Sequence, residues 1–114
     1  MNAEAKKRLL DALSACAAIR QFTKHADFPA FESSLLLRSA VERQLEILGE
    51  ALGKAAESEP DMEMQLPELR RIVGLRNRII HGYDSVDDEI VWDIAQTKME
   101  PLERMLQRVL DERP

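Results

Sequence analysis

The feature that most constrains this chain is an apolar stripe at helical spacing. Leu37, Val41, Leu45, Leu48 and Leu52 recur in steps of three and four between about Phe31 and Glu57, which returns them to one side of an α-helix. A helix with such a stripe must bury it against other helices. Three further segments repeat the pattern. Leu9, Ala12, Leu13, Cys16 and Ile19 predict a first helix from about Ala3 to Gln21. Leu69, Ile72, Val73, Ile79 and Ile80 predict a third, led by Pro67 and Glu68 and stopped by Gly82. Ser85 and Asp88 make a capping-box-like start to a fourth, and Pro101 marks a break before Leu102, Met105, Leu106, Val109 and Leu110. The fold expected is an all-α, compact bundle of four to five helices.

Composition agrees with a helical fold. Residues 1–114 suit one domain, large enough for a single core and too short for two. Aromatics are only 4%, and four glycines and five prolines leave little room for a turn-rich sheet protein. Two of those glycines, Gly49 and Gly53, lie inside the second helix. Mid-helix glycine costs about 1 kcal/mol against alanine, so each is expected to admit a close neighbour. The segments "FTKHADFPAFES" and "SEPDMEMQLP" read as connections.

One cysteine, Cys16, excludes an internal disulfide and fits a reducing cytoplasm; its place in the first apolar stripe predicts a buried thiol. "KKRLLDALSACAAI" resembles a weak signal peptide, but Asp11 interrupts its apolar run and the helical spacing explains it better. No run is long enough to span a membrane. The net charge of −5 argues against wholesale nucleic-acid binding, without excluding a local basic surface.

Such a surface stands in the third helix. Between Pro67 and His81 four arginines, Arg70, Arg71, Arg76 and Arg78, face a single Glu68, a formal +3 in an acidic chain. The bland reading is a solvated arginine face. Arg76, however, continues the apolar side between Val73 and Ile80, where a guanidinium must be paired, sit at an interface or face a cleft. Asn77 and His81 are one turn apart, so their side chains can meet; Asn77 reads equally as a plain polar position near a helix end.

Arg76, four residues, His81, one residue and Tyr83 resemble the R-x4-H-x-Y motif of the HepT toxins, members of the HEPN superfamily of helical ribonucleases. "ERQLEILGEAL", "LRNRIIHGYDSVDDEIVW" and the proline-led last helix extend the likeness over the chain from about Phe31. The resemblance implies metal-independent RNA cleavage by Arg76 and His81, with Asn77 orienting His81 or contacting RNA; the charge of the helix, apart from the resemblance, makes Arg70, Arg71 and Arg78 candidates for binding RNA phosphates. The resemblance also implies a two-fold homodimer with the motifs facing one cleft. Tyr83 would accept AMP from an MntA-type nucleotidyltransferase antitoxin.

The chemistry is consistent with that implication. RNA carries its own nucleophile, the 2′-hydroxyl, so cleavage needs a group that titrates near neutrality and a fixed positive charge. Histidine serves the first need and arginine the second. No metal or cofactor is expected, because His25 and His81 are the only histidines and the acids are scattered. Residues five apart differ by roughly 140° on an ideal helix. Arg76 and His81 therefore share one phosphate only if the helix end unwinds at Gly82 or two subunits combine, and the resemblance favours the second.

Nearby residues have plainer readings. Asp84, Asp87 and Asp88 suit a turn and helix N-terminus, Trp92 a core or interface, Tyr83 an aromatic just past a helix, and His25 an exposed loop. Two rivals remain: a non-catalytic substrate- or nucleotide-binding partner of a nucleotidyltransferase, and a purely structural dimer that silences one.

Overall fold

A computed structural model describes residues 1–81 and 87–112, and of residues 80 and 81 the backbone alone. The described residues form seven helices and no strand: α1 (Ala3–Thr23), α2 (Phe28–Ser33), α3 (Leu35–Ser58), α4 (Met62–Gln65), α5 (Leu69–His81), α6 (Asp88–Thr97) and α7 (Met99–Asp111). Five are long and stand where the apolar stripes and the cap signals predict helices, and α2 and α4 are short helices within the two segments read as connections.

α3 is the axis. Val41, Leu45, Leu48, Leu52 and Ala55 are buried along it, and Leu9, Ala12, Cys16 and Ile19 are buried on α1, which packs against it. Burying each leucine contributes about 2 kcal/mol. α1 runs against α3 on one side and meets α7 on another, while α5 packs on α3. The α1–α3 pair is fastened at its end by Asn2. Its side-chain oxygen caps α1 by accepting from Ala5 N at 2.7 Å, and its amide donates to the Ser58 carbonyl at 3.1 Å. One residue thus satisfies open groups at two helix ends.

Cys16 is fully buried, and burial pushes its thiol pKa up to about 12, so it acts as a packing group. Trp92 packs against Phe31, with ring centroids 5.2 Å apart, and His25 is exposed.

The differences from expectation lie at helix ends. The second long helix starts at Leu35, because Ser34 ends α2 and caps α3 by accepting from Leu37 N at 3.0 Å. Pro67 lies in a turn ahead of α5 rather than in its first turn. α6 is capped by Asp87, which accepts from Glu89 N at 2.8 Å. α7 begins at Met99, so Pro101 falls in its first turn, where no backbone donor is needed. The expected stop at Gly82 and cap at Ser85 lie outside the described residues, as does Asp84.

Candidate functional site

The site begins with a contact that has no room for a side chain. At Gly49 of α3 a Cβ would stand 2.4 Å from Arg76 Cβ and 2.8 Å from Arg76 Cγ. α5 therefore lies flush on α3 here, with the stem of Arg76 filling the space above Gly49. Gly53 does not share this role: the nearest atom to its Cβ position is a Val73 methyl at 3.9 Å, an ordinary contact. The buried line of α5 is Leu69, Ile72, Leu75 and Ile79, and Arg76 borders it, a quarter exposed. Leu75 was absent from the expected apolar side, and Val73 is only half-buried.

The guanidinium of Arg76 is paired on two sides. Its Nη2 donates to Glu50 Oε1 at 3.1 Å and its Nη1 to Asn77 Oδ1 at 3.0 Å. Its Nε is buried with no hydrogen-bond partner among the described residues. Two clefts meet at this group. One, of about 180 Å³, lies between α1, α3 and α5 and is lined by Arg8, Asp11, Arg43, Glu46, Glu50 and Arg76. The other, of about 290 Å³, includes Gly53, Lys54, Glu57 and Asn77 beside Glu50 and Arg76.

The first cleft is lined by three arginines and three carboxylates, equal and opposite in formal charge. Arg8 is held firmly in its charged form, first by the hydrogen bond from its Nε to Glu4 at 2.8 Å, then by the charges of Glu4, Asp11 and Glu50. Among the described residues no group of three or more His, Cys, Asp and Glu side chains is placed to hold a metal ion.

The expected site residues do not all meet. Arg70, Arg71 and Arg78 line a separate groove of about 200 Å³ between α5 and α6, over Gly74, Leu75, Ile90 and Ile94. The helical repeat explains the split: Arg71, Gly74 and Arg78 share a face, whereas Arg76 lies about 160° around the helix from Arg78. Arg70 also donates from Nε to Glu63 at 3.1 Å. Asn77 is engaged by Arg76. His81 is the last residue of α5; its imidazole, the side chain of Ile80 and the whole of Tyr83 lie outside the described residues.

Sequence reading missed Glu50, Arg8 and Arg43. Glu50 is 26 positions from Arg76, so helix periodicity within one segment carries no trace of the pairing. The "GE" at positions 49 and 50 was the one local hint, a mid-helix glycine beside an acid.

The profile of a family described as "Ribonuclease HepT-like" matches residues 12–109. The chain is 30% identical to "Putative RNase MJ0125" of Methanocaldococcus jannaschii over 105 residues, 92% of this chain and 90% of that one. It is 31% identical to "Putative RNase MJ1380" of the same organism over 108 residues, 93% and 96% of the two chains. "Probable ribonuclease HepT" of Thermococcus cleftensis is 27% identical over 109 residues, 96% of this chain and 98% of that protein. No solved structure matches significantly. A family match that runs from α1 into α7, with relatives that align almost end to end, means that this chain belongs to the HepT-like ribonuclease family.

Proposed function

We propose that this chain is a toxin ribonuclease of the cytoplasm, acting as one domain over residues 1–114, that cleaves RNA without a metal ion. The observation that carries the reading is the Arg76 guanidinium, held where two clefts meet on a helix whose last residue is His81, in a HepT-like chain. Arg76 neutralises the scissile phosphate. His81 moves the proton: the bond from O2′ to phosphorus forms, the bond from phosphorus to O5′ breaks, and the proton lost by the 2′-hydroxyl is matched by one gained at O5′. The products are a 2′,3′-cyclic phosphate and a 5′-hydroxyl. Asn77, hydrogen-bonded to Arg76, orients the site, while Arg70, Arg71 and Arg78 bind flanking RNA.

The test is purified protein with end-labelled RNA in EDTA, beside Arg76→Ala and His81→Ala. Cleavage that falls about 10²–10⁴-fold in His81→Ala is expected. Full activity in that variant, or wild-type activity abolished by EDTA, removes the mechanism.

Two parts of the reading have their own checks. Arg76 and His81 are separated by roughly 140° of helix, so we take the working unit to be a two-fold homodimer with both motifs at one cleft; light scattering that returns a monomer at micromolar concentration contradicts it. Tyr83 is the proposed acceptor of AMP from an MntA-type nucleotidyltransferase antitoxin. Its oxygen would attack the α-phosphorus of ATP, losing its proton and releasing pyrophosphate, and would add a phosphate two positions after His81 in the sequence. AMP mapped by peptide mass to another residue excludes that route.

A second reading, a non-catalytic nucleotide-binding partner, draws support from the Arg76–Glu50 pair, since an arginine already neutralised within its own chain needs no scissile phosphate. Absence of cleavage with retained nucleotide binding favours it.

A further inference from the structure

Arg76 comes with an anion already in place. Glu50 follows Gly49 on α3, so the close approach that seats the arginine stem also sets the Glu50 carboxylate 3.1 Å from Nη2. Glu50 and Arg76 together line both clefts. A phosphate entering from either side therefore meets the Glu50 charge at the same guanidinium. The carboxylate has somewhere to go: it is about half exposed, at 54%, and Arg8 and Arg43 line the first cleft with it. With Nε buried and Nη1 on Asn77, the guanidinium offers its Nη2 edge to an incoming anion, which is the edge Glu50 occupies.

We propose that Glu50 is the positioning residue of the Arg76 site: its oxygen anchors the guanidinium between the clefts, and its charge is the one an RNA phosphate must displace. This rests on the ribonuclease reading for the identity of the incoming anion. It adds a residue that sets how tightly substrate binds. An internal counter-ion of this kind keeps a charged group oriented before substrate arrives, at the cost of competing with it.

The experiment separates the anchor from the charge. Glu50→Gln keeps an oxygen acceptor for Nη2 and removes the charge; Glu50→Ala removes both. Binding is read by anisotropy with fluorescein-labelled 2′-O-methyl RNA, which lacks the free 2′-hydroxyl and stays uncut. Glu50→Gln should lower Kd about three- to ten-fold at low salt, and the gain should vanish in an Arg76→Gln background. A Kd unchanged or raised by Glu50→Gln overturns the proposal, as does an equal gain without Arg76.

In cleavage assays Glu50→Gln should lower KM, and Glu50→Ala should show a lower kcat than Glu50→Gln. Equal kcat in the two variants removes the anchoring role. Failure of wild-type protein to cleave any RNA would sink the ribonuclease reading alone, because the binding arm needs no cleavage and still decides the role of Glu50.

Discussion

Glu42 sits on α3 one turn from Arg38 and Glu46, near the junction with α6. Burial raises its carboxyl pKa above the ordinary 4.5, and the charges of Asp88 and Glu46 add to the rise while Arg38 opposes it. A carboxyl whose folded pKa exceeds its unfolded one holds a proton better in the folded state, so its ionisation destabilises the fold. That penalty is complete above the raised pKa, shrinks as pH falls through it, and is gone below the unfolded value. Glu42→Gln should therefore stabilise the protein at pH 7 by roughly 0.5 kcal/mol, the size that screening leaves a half-exposed charge. Urea melts of both proteins should converge as pH is lowered below 4.5. A gap that does not change with pH would show that the side chain acts by packing instead. Arg76 is the contrasting residue: Glu50 compensates its charge and Asn77 accepts a second hydrogen bond from it, which offsets the cost of its partial burial.

At the scale of elements, three glycines on α3 and α5 divide by what stands over them. Gly49→Ala puts a methyl 2.4 Å from Arg76 Cβ, and both atoms belong to rigid helix positions. α5 must move off α3, which should cost about 1–3 kcal/mol and separate Glu50 from Arg76. Gly53→Ala and Gly74→Ala meet nothing closer than 3.9 Å and nothing within 4 Å respectively. Each should stabilise its helix by up to about 1 kcal/mol. Thermal melts of the three variants test the set, and Gly49→Ala behaving like the other two would contradict the close packing at Arg76.

The same comparison shows what the sequence carried and why. The α3 stripe was readable because three- and four-residue steps from Val41 to Leu52 report burial directly. α2 and α4 were not, since helices of six and four residues hold no periodicity; α2 depends on Asp27 accepting from Ala30 N and on Pro29 in its first turn. Arg76 stood out as a charge on an apolar border, but its partner Glu50 required the register of two helices. A single helix pattern does not contain that register.

Across the whole molecule the decisive property is how charge is distributed. The chain carries −5, yet the groove between α5 and α6 is lined by Arg70, Arg71 and Arg78 above apolar Leu75, Ile90 and Ile94. Arg76 opens on the other flank of the same helix. If RNA binds through that groove as proposed, the binding is electrostatic and should weaken steeply with salt despite the acidic whole, each phosphate contact contributing about 0.7 to the slope of log K against log salt for a single strand. Replacing Arg70 and Arg71 with alanine should flatten the slope by about 1.4. Affinity should fall further than the slope implies, because Glu63 then loses the guanidinium it now pairs with and repels the strand. Arg104→Ala, which removes a charge on α7 paired with Glu100, should leave the slope unaltered. The measurement is a titration of labelled 2′-O-methyl RNA from about 50 to 200 mM salt, the range over which such contacts are lost. An unchanged slope in the double variant would place the RNA elsewhere. An equal flattening by Arg104→Ala would mean that net charge, and no particular groove, governs the encounter.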